Sequence, residues 1–207
     1  MRRAAVAAAL CLALPSIAQA HRLDEYLQAS RVAIDRDRID VEIDLTPGVA
    51  VAAQVLSAID TDHDGSISGT EAGSYASAVI DALTLELDGH AERLQLTSQR
   101  FPDPAAMTGG TGTIQLRASA AAAAGRSGTH HLLFRNPYRA DIGAYLANPL
   151  VPRDGAIEII GQERDVRQHD LRIEYRVHSS WKWAISWSGI AVLAVAGLLT
   201  TRLRRRG

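Results

Sequence analysis

Between Ile39 and Leu45 the chain alternates without a break, with Ile39, Val41, Ile43 and Leu45 falling between Asp40, Glu42 and Asp44. A two-residue period puts every apolar side chain on one face of an extended segment and every carboxylate on the other. A helix, with its period of about 3.6 residues, cannot segregate those side chains, so the stretch reads as a half-buried strand. The same pattern recurs at Leu83, Leu85 and Leu87, at Ile114 and Leu116, at Leu132 and Phe134, at Ile157 and Ile159, and along Leu171, Ile173, Tyr175 and Val177. Tyr26 to Ile34 and Arg93 to Thr97 complete the set, and Asp88-Gly89 and Asp154-Gly155 supply turn signals. Seven to nine short strands with turns between them predict a mainly β fold, an antiparallel β-sandwich.

The alternation is interrupted at about residues 48–83, where the apolar spacing becomes helical. Ala50, Val51, Val55, Leu56 and Ile59 form one stripe, and Ala72, Tyr75, Ala76, Val79, Ile80 and Leu83 form another. Thr46-Pro47 suits the start of the first helix. Between the stripes lies Asp60-Thr61-Asp62-His63-Asp64-Gly65-Ser66-Ile67-Ser68-Gly69-Thr70-Glu71. Asp60, Asp62 and Asp64 offer carboxylates at alternate positions, Gly65 permits a sharp turn, and Glu71 can close a ligand shell with both oxygens. Ser66 needs to supply only its carbonyl, and Ser68 a direct or water-mediated contact. Six to eight oxygen donors are what a hard cation such as calcium requires. Ile67 is expected to point into the core, and His63 toward solvent.

Residues 60–71 resemble the loop of the EF-hand calcium-binding superfamily, a likeness covering about thirty-five residues with the flanking helices. The wider layout, with His21-Arg22-Leu23-Asp24-Glu25-Tyr26-Leu27-Gln28 and the stretch from Tyr145-Leu146 to Val151-Pro152, is similar to a bacterial family of exported EF-hand proteins. The resemblance implies calcium binding and export, and no substrate. A second Asp-x-Asp-x-Asp-Gly loop does not occur in the sequence, so the site is expected to work unpaired and less tightly.

Both ends of the chain speak to location. Arg2 and Arg3, an apolar run from Ala4 to Leu14, Pro15 and Ala18-Gln19-Ala20 have the form of a secretory signal peptide over residues 1–20, leaving His21 as the mature N-terminus. The one cysteine, Cys11, lies inside that run, so a processed chain offers neither disulfides nor thiolate chemistry. Residues 184–201 carry no charge and are about long enough to span a bilayer. Trp181, Trp183 and Trp187 precede them and Arg202, Arg204, Arg205 and Arg206 follow, which predicts a single-pass inner-membrane anchor with a cytoplasmic tail at 202–207. Residues 21–180 are then expected to be periplasmic.

All 23 acidic residues fall between Asp24 and Glu174, so the domain between the two termini is acidic. That composition, with only 5% aromatic residues, argues against a nucleic-acid partner. A protein partner, as for an accessory component of a membrane complex, fits the same features. Neither a Gly-x-Ser-x-Gly elbow nor a His-Glu-x-x-His helix is present, and no residue is assigned a catalytic role. The rival metal reading is a copper brace, in which the amino group and imidazole of a mature His21 join His130 or His131. His90, His169 and His178 read as surface residues. Phe101 to Gly112 reads as a loop, Ala118 to Ala124 as a helical turn, and Asn136 to Leu150 as a connection with Ile142, Tyr145 and Leu146 packed on the sheet.

Overall fold

The computed structural model describes residues 24–179. The signal segment, His21, the anchor at 184–201 and the tail at 202–207 lie outside the described residues. Among the described residues no helix is long and apolar enough to cross a membrane.

Among the described residues the fold is mainly β, with ten strands in two five-stranded sheets around one hydrophobic core. In the first sheet β2 (Arg38–Pro47) is central, with β1 (Tyr26–Ile34) and then β8 (Gly143–Pro149) on one side and β6 (Ile114–Ala121) and then β5 (Gln95–Arg100) on the other. In the second sheet the order is β4 (His90–Ala91), β3 (Thr84–Leu87), β7 (Gly128–Arg135), β10 (Asp170–Val177) and β9 (Ile157–Arg164). The alternation in β2 does what its period requires: Ile39, Val41, Ile43 and Leu45 are all fully buried. Removing such side chains from water contributes roughly 1.5–3 kcal/mol each, which makes β2 the keel of this sheet. At the Asp88-Gly89 turn both residues have positive φ, 52° and 80°, the left-handed pair that suits a two-residue hairpin.

Three segments differ from the sequence expectation. The pairing is not wholly antiparallel, because β8 runs parallel to β1, with Tyr26 opposite Gly143 and Val32 opposite Pro149. Tyr145 and Ala147 of β8 face the core while Leu146, expected to pack on the sheet, is 42% exposed. The alanine run is strand as far as Ala121 rather than helical turn: Ala118 and Ala120 are buried against β2, whose ladder overrides their helical propensity. The Phe101 to Gly112 loop contains a short helix, α3 (Pro104–Thr108), capped by Asp103 through the Ala105 N–H at 2.7 Å, and its Met107 is fully buried.

Two longer helices occupy the chain between β2 and β3, α1 (Val49–Ile59) and α2 (Gly69–Ala82). Their buried faces are Val51, Ala52, Val55 and Ile59, and Ala72, Tyr75, Ala76, Val79 and Ile80, while Ala50 of the expected stripe is exposed. Strand register puts this pair at one pole. Tyr26, Pro47, Thr84, Arg135 and Asp170 lie there, and Ile34, Ile39, Ala121, Gly128 and Val177 lie at the other. A buried polar network closes the helical pole. Gln28, fully buried, donates to the Tyr138 carbonyl at 2.7 Å and accepts from the Asn136 amide at 3.0 Å, so an otherwise costly core glutamine is satisfied at both ends.

Candidate metal centre

The loop between α1 and α2 is held by its own carboxylates. Asp60, the C-cap of α1, receives the backbone N–H of Asp64 on one oxygen at 3.2 Å and that of Gly65 on the other at 3.0 Å. Asp62 shares the Asp64 N–H at 3.2 Å, and Asp64 accepts the Ser66 N–H at 2.7 Å. His63 and Gly65 bend the chain with φ of 61° and 83°. Only the glycine adopts that region without steric cost.

Glu71 clasps the loop from the far end. Its Oε1 accepts the Thr61 N–H at 2.6 Å and the Thr61 hydroxyl at 3.1 Å, and its Oε2 accepts the Ser68 N–H at 3.0 Å and the Ser68 hydroxyl at 2.9 Å. The Ser68 hydroxyl in turn accepts the Glu71 N–H at 3.3 Å, which completes a capping box at the start of α2. Glu71 is 8% exposed, yet it stays ionised: the Ser68 and Thr61 donors lower its pKa from 4.5 to about 2.

The result is a convergence of oxygen donors. Ligand atoms of Asp60, Asp62 and Glu71 all lie within 4.8 Å of one another, an acidic triad able to hold a metal ion. The structure thus brings three of the six expected site residues together. Asp64 is turned onto the Ser66 N–H, Ser66 follows it on the exposed side of the loop, and Ser68 is engaged as the helix cap. The donor set is carboxylate throughout, with neither imidazole nor thiolate, and so matches a hard cation rather than copper or zinc. Ile67 packs partly buried against the core, and His63 is exposed.

Of the copper candidates, His130 is buried and already committed. Its Nδ1 lies 2.7 Å from the Asp88 carboxylate, its Nε2 2.7 Å from the Arg126 carbonyl, and its ring stacks on Tyr175. His131 is exposed on the opposite face, and His21 lies outside the described residues. His90 and His178 are exposed, whereas His169 is half-buried, edge-on to Tyr145 at 4.2 Å. Asp103 before Pro104 was a readable helix-start signal for α3. The Gln28 and Asn136 network had no such signal.

Fold and centre together define a two-sheet β domain with a helix–loop–helix carrying an oxygen-rich triad. No protein-family model, curated protein or solved structure matches the chain.

Proposed function

We infer that this protein binds one calcium ion in the loop at 60–71, within an exported domain held to the inner membrane by residues 184–201. The observation that carries the reading is the approach of Asp60, Asp62 and Glu71 carboxylates to within 4.8 Å around a turn that needs Gly65. Asp64, the Ser66 carbonyl and Ser68, directly or through water, would complete the shell. Calcium supplies the positive charge that offsets three to four carboxylates, which otherwise repel one another.

The ion has a structural role. Glu71 joins the entering and leaving ends of the loop, so an ion held on it ties α1 to α2 more firmly. Its oxygens already accept hydrogen bonds, and the ion binds in exchange for the rotatable hydroxyls of Thr61 and Ser68. That exchange and the unpaired loop set the expected affinity in the range of about 0.1–1 mM typical of extracellular modules. Calcium then raises stability by an amount fixed by its concentration over its dissociation constant.

The test is thermal unfolding of the chelator-treated chain with added calcium or magnesium. A calcium-selective rise in melting temperature, absent in Asp60→Ala, supports the reading. Equal response to both ions, or an undiminished response in Asp60→Ala, contradicts it.

A further inference from the structure

The outer faces of the two sheets treat their charges differently. On the first sheet the charges neutralise one another: Arg31 reaches Glu42 and Asp44 at 3.2 and 3.0 Å, and Arg38 reaches Asp40 at 3.0 Å. On the second sheet they are left open. Register carries Glu86 of β3, Leu133 of β7, Arg172 of β10 and Glu163 of β9 side by side, and one pleat along it sets Glu174 between His131 and Gly161. Among the described residues the carboxylates of Glu86, Glu163 and Glu174 accept no hydrogen bond and join no ion pair. Arg172 has only Asp170, at 3.9 Å, and that carboxylate is already held by Arg135 through two bonds of 2.7 Å. The open groups line a depression of about 510 Å³, within the range of small-molecule sites, with half-buried Leu133 on its floor. Gly161 keeps it open, since a Cβ there would already stand 3.4 Å from the Glu174 carboxylate.

The placement of charge selects the occupant. Arg172 and Glu174 project from the same face of β10, roughly 7 Å apart, and Glu86 stands two strands away, roughly 10 Å from Arg172. One guanidinium therefore lies between two carboxylates that approach it from different directions. We propose that the depression binds a free basic α-amino acid, lysine or arginine, with its carboxylate on Arg172, its α-ammonium on Glu174 and its side-chain cation on Glu86. The guanidinium fork receives a carboxylate through two parallel bonds, the arrangement in which charge-assisted hydrogen bonds are strongest. The aliphatic stem of the ligand lies along Leu133 while its charged head stays on Glu86. Glu163, directly across β9 from Arg172, balances the guanidinium charge while the site is empty. A plain amine leaves Arg172 unmatched, and a plain carboxylic acid leaves Glu174 and Glu86 unmatched. The site shares no residue with the loop at 60–71, so the proposal is independent of the calcium reading.

Saturation-transfer NMR of the full chain in detergent micelles, with chelator present, tests it. L-lysine is compared with L-norleucine, which lacks the side-chain ammonium, and with 1,5-diaminopentane, which lacks the carboxylate. The expected result is saturable lysine binding at least about tenfold tighter than that of either analogue. Arg172→Ala and Glu174→Gln each weaken lysine at least about tenfold, whereas Glu86→Gln brings lysine down to the affinity of norleucine and leaves norleucine unchanged. Gly161→Val fills the depression without removing a charge and abolishes lysine binding. All four substitutions lie on the solvent side of the sheet, and circular dichroism verifies that each variant is folded. No saturable lysine binding, equal affinity for lysine and diaminopentane, or lysine binding undiminished in both Arg172→Ala and Gly161→Val would overturn the proposal. Because calcium is withheld throughout, the outcome is separate from any failure of calcium binding.

Discussion

The hydroxyl of Tyr75 on α2 lies 2.9 Å from the hydroxyl of Tyr26 on β1, with both residues in the core. Tyr75 also meets Phe101 and Tyr138 edge-on, at centroid distances of 6.1 and 6.0 Å. Glu71 sits one turn earlier on the same helix. The outgoing helix of the metal loop is therefore bolted to the first strand of the sheet, and burial pushes the pKa of both phenols well above its ordinary value.

Tyr75→Phe should destabilise the domain by about 1–3 kcal/mol, because it leaves the Tyr26 hydroxyl buried without its partner. Adding Tyr26→Phe removes the orphan, so the double variant should lose less than the sum of the single losses. Urea unfolding of the four members of the cycle measures this coupling.

Ser68→Ala and Glu71→Gln should both lose stability and differ in ion binding. The serine variant loses the N-cap of α2, at about 1 kcal/mol, with a smaller effect on calcium. The glutamine variant lacks the charge and turns an NH2 toward the Thr61 or Ser68 donors, so its melting temperature without ion falls as well, while its calcium affinity falls at least about tenfold. Melting and titration of each variant in parallel check the split.

Glu71 also sets an acid sensitivity. Its folded pKa of about 2 lies below its ordinary 4.5, so its contribution to stability is complete above pH 4.5 and is lost as pH falls toward about 2. Asp170, Asp154 and Asp141 carry shifts of the same sign from Arg135, Arg36 and Arg139. In chelator, the urea midpoint should drop across that window more steeply for the native chain than for Glu71→Gln.

Two glycines four residues apart should respond in opposite directions. A Cβ at Gly65 meets nothing within 4 Å, so Gly65→Ala is penalised only by its φ of +83°, about 1 kcal/mol. Gly69 opens α2 with equally free space and no positive φ, so Gly69→Ala should stabilise, by up to about 1 kcal/mol. Denaturant midpoints of the two variants, without ion, test the sign.

Much of the fold was legible because local pattern and tertiary environment agree. In β2 the alternation and the burial coincide residue by residue, and Asp88-Gly89 states its turn type in two letters. At the loop, the carboxylates around Gly65 marked the candidate ligands, of which the structure brings Asp60, Asp62 and Glu71 together. Strand β8 was harder to see, since Gly143-Ala144-Tyr145-Leu146-Ala147-Asn148-Pro149 is short of β-branched residues and gains its conformation from parallel pairing with β1, over a hundred residues away in sequence. The alanines of β6 failed for the same reason. The Ser68-Gly69-Thr70-Glu71 spacing is itself a capping-box signature, whereas the turn of Asp64 to Ser66 depends on which hydrogen bonds win locally.

Isothermal titration of the metal-stripped full chain with calcium, alongside Asp60→Ala and a parallel copper titration, tests the central claim most directly. The account predicts one calcium site, lost in Asp60→Ala, and no copper site of comparable strength. Calcium heat that persists in Asp60→Ala, or tight copper binding without calcium binding, would contradict it.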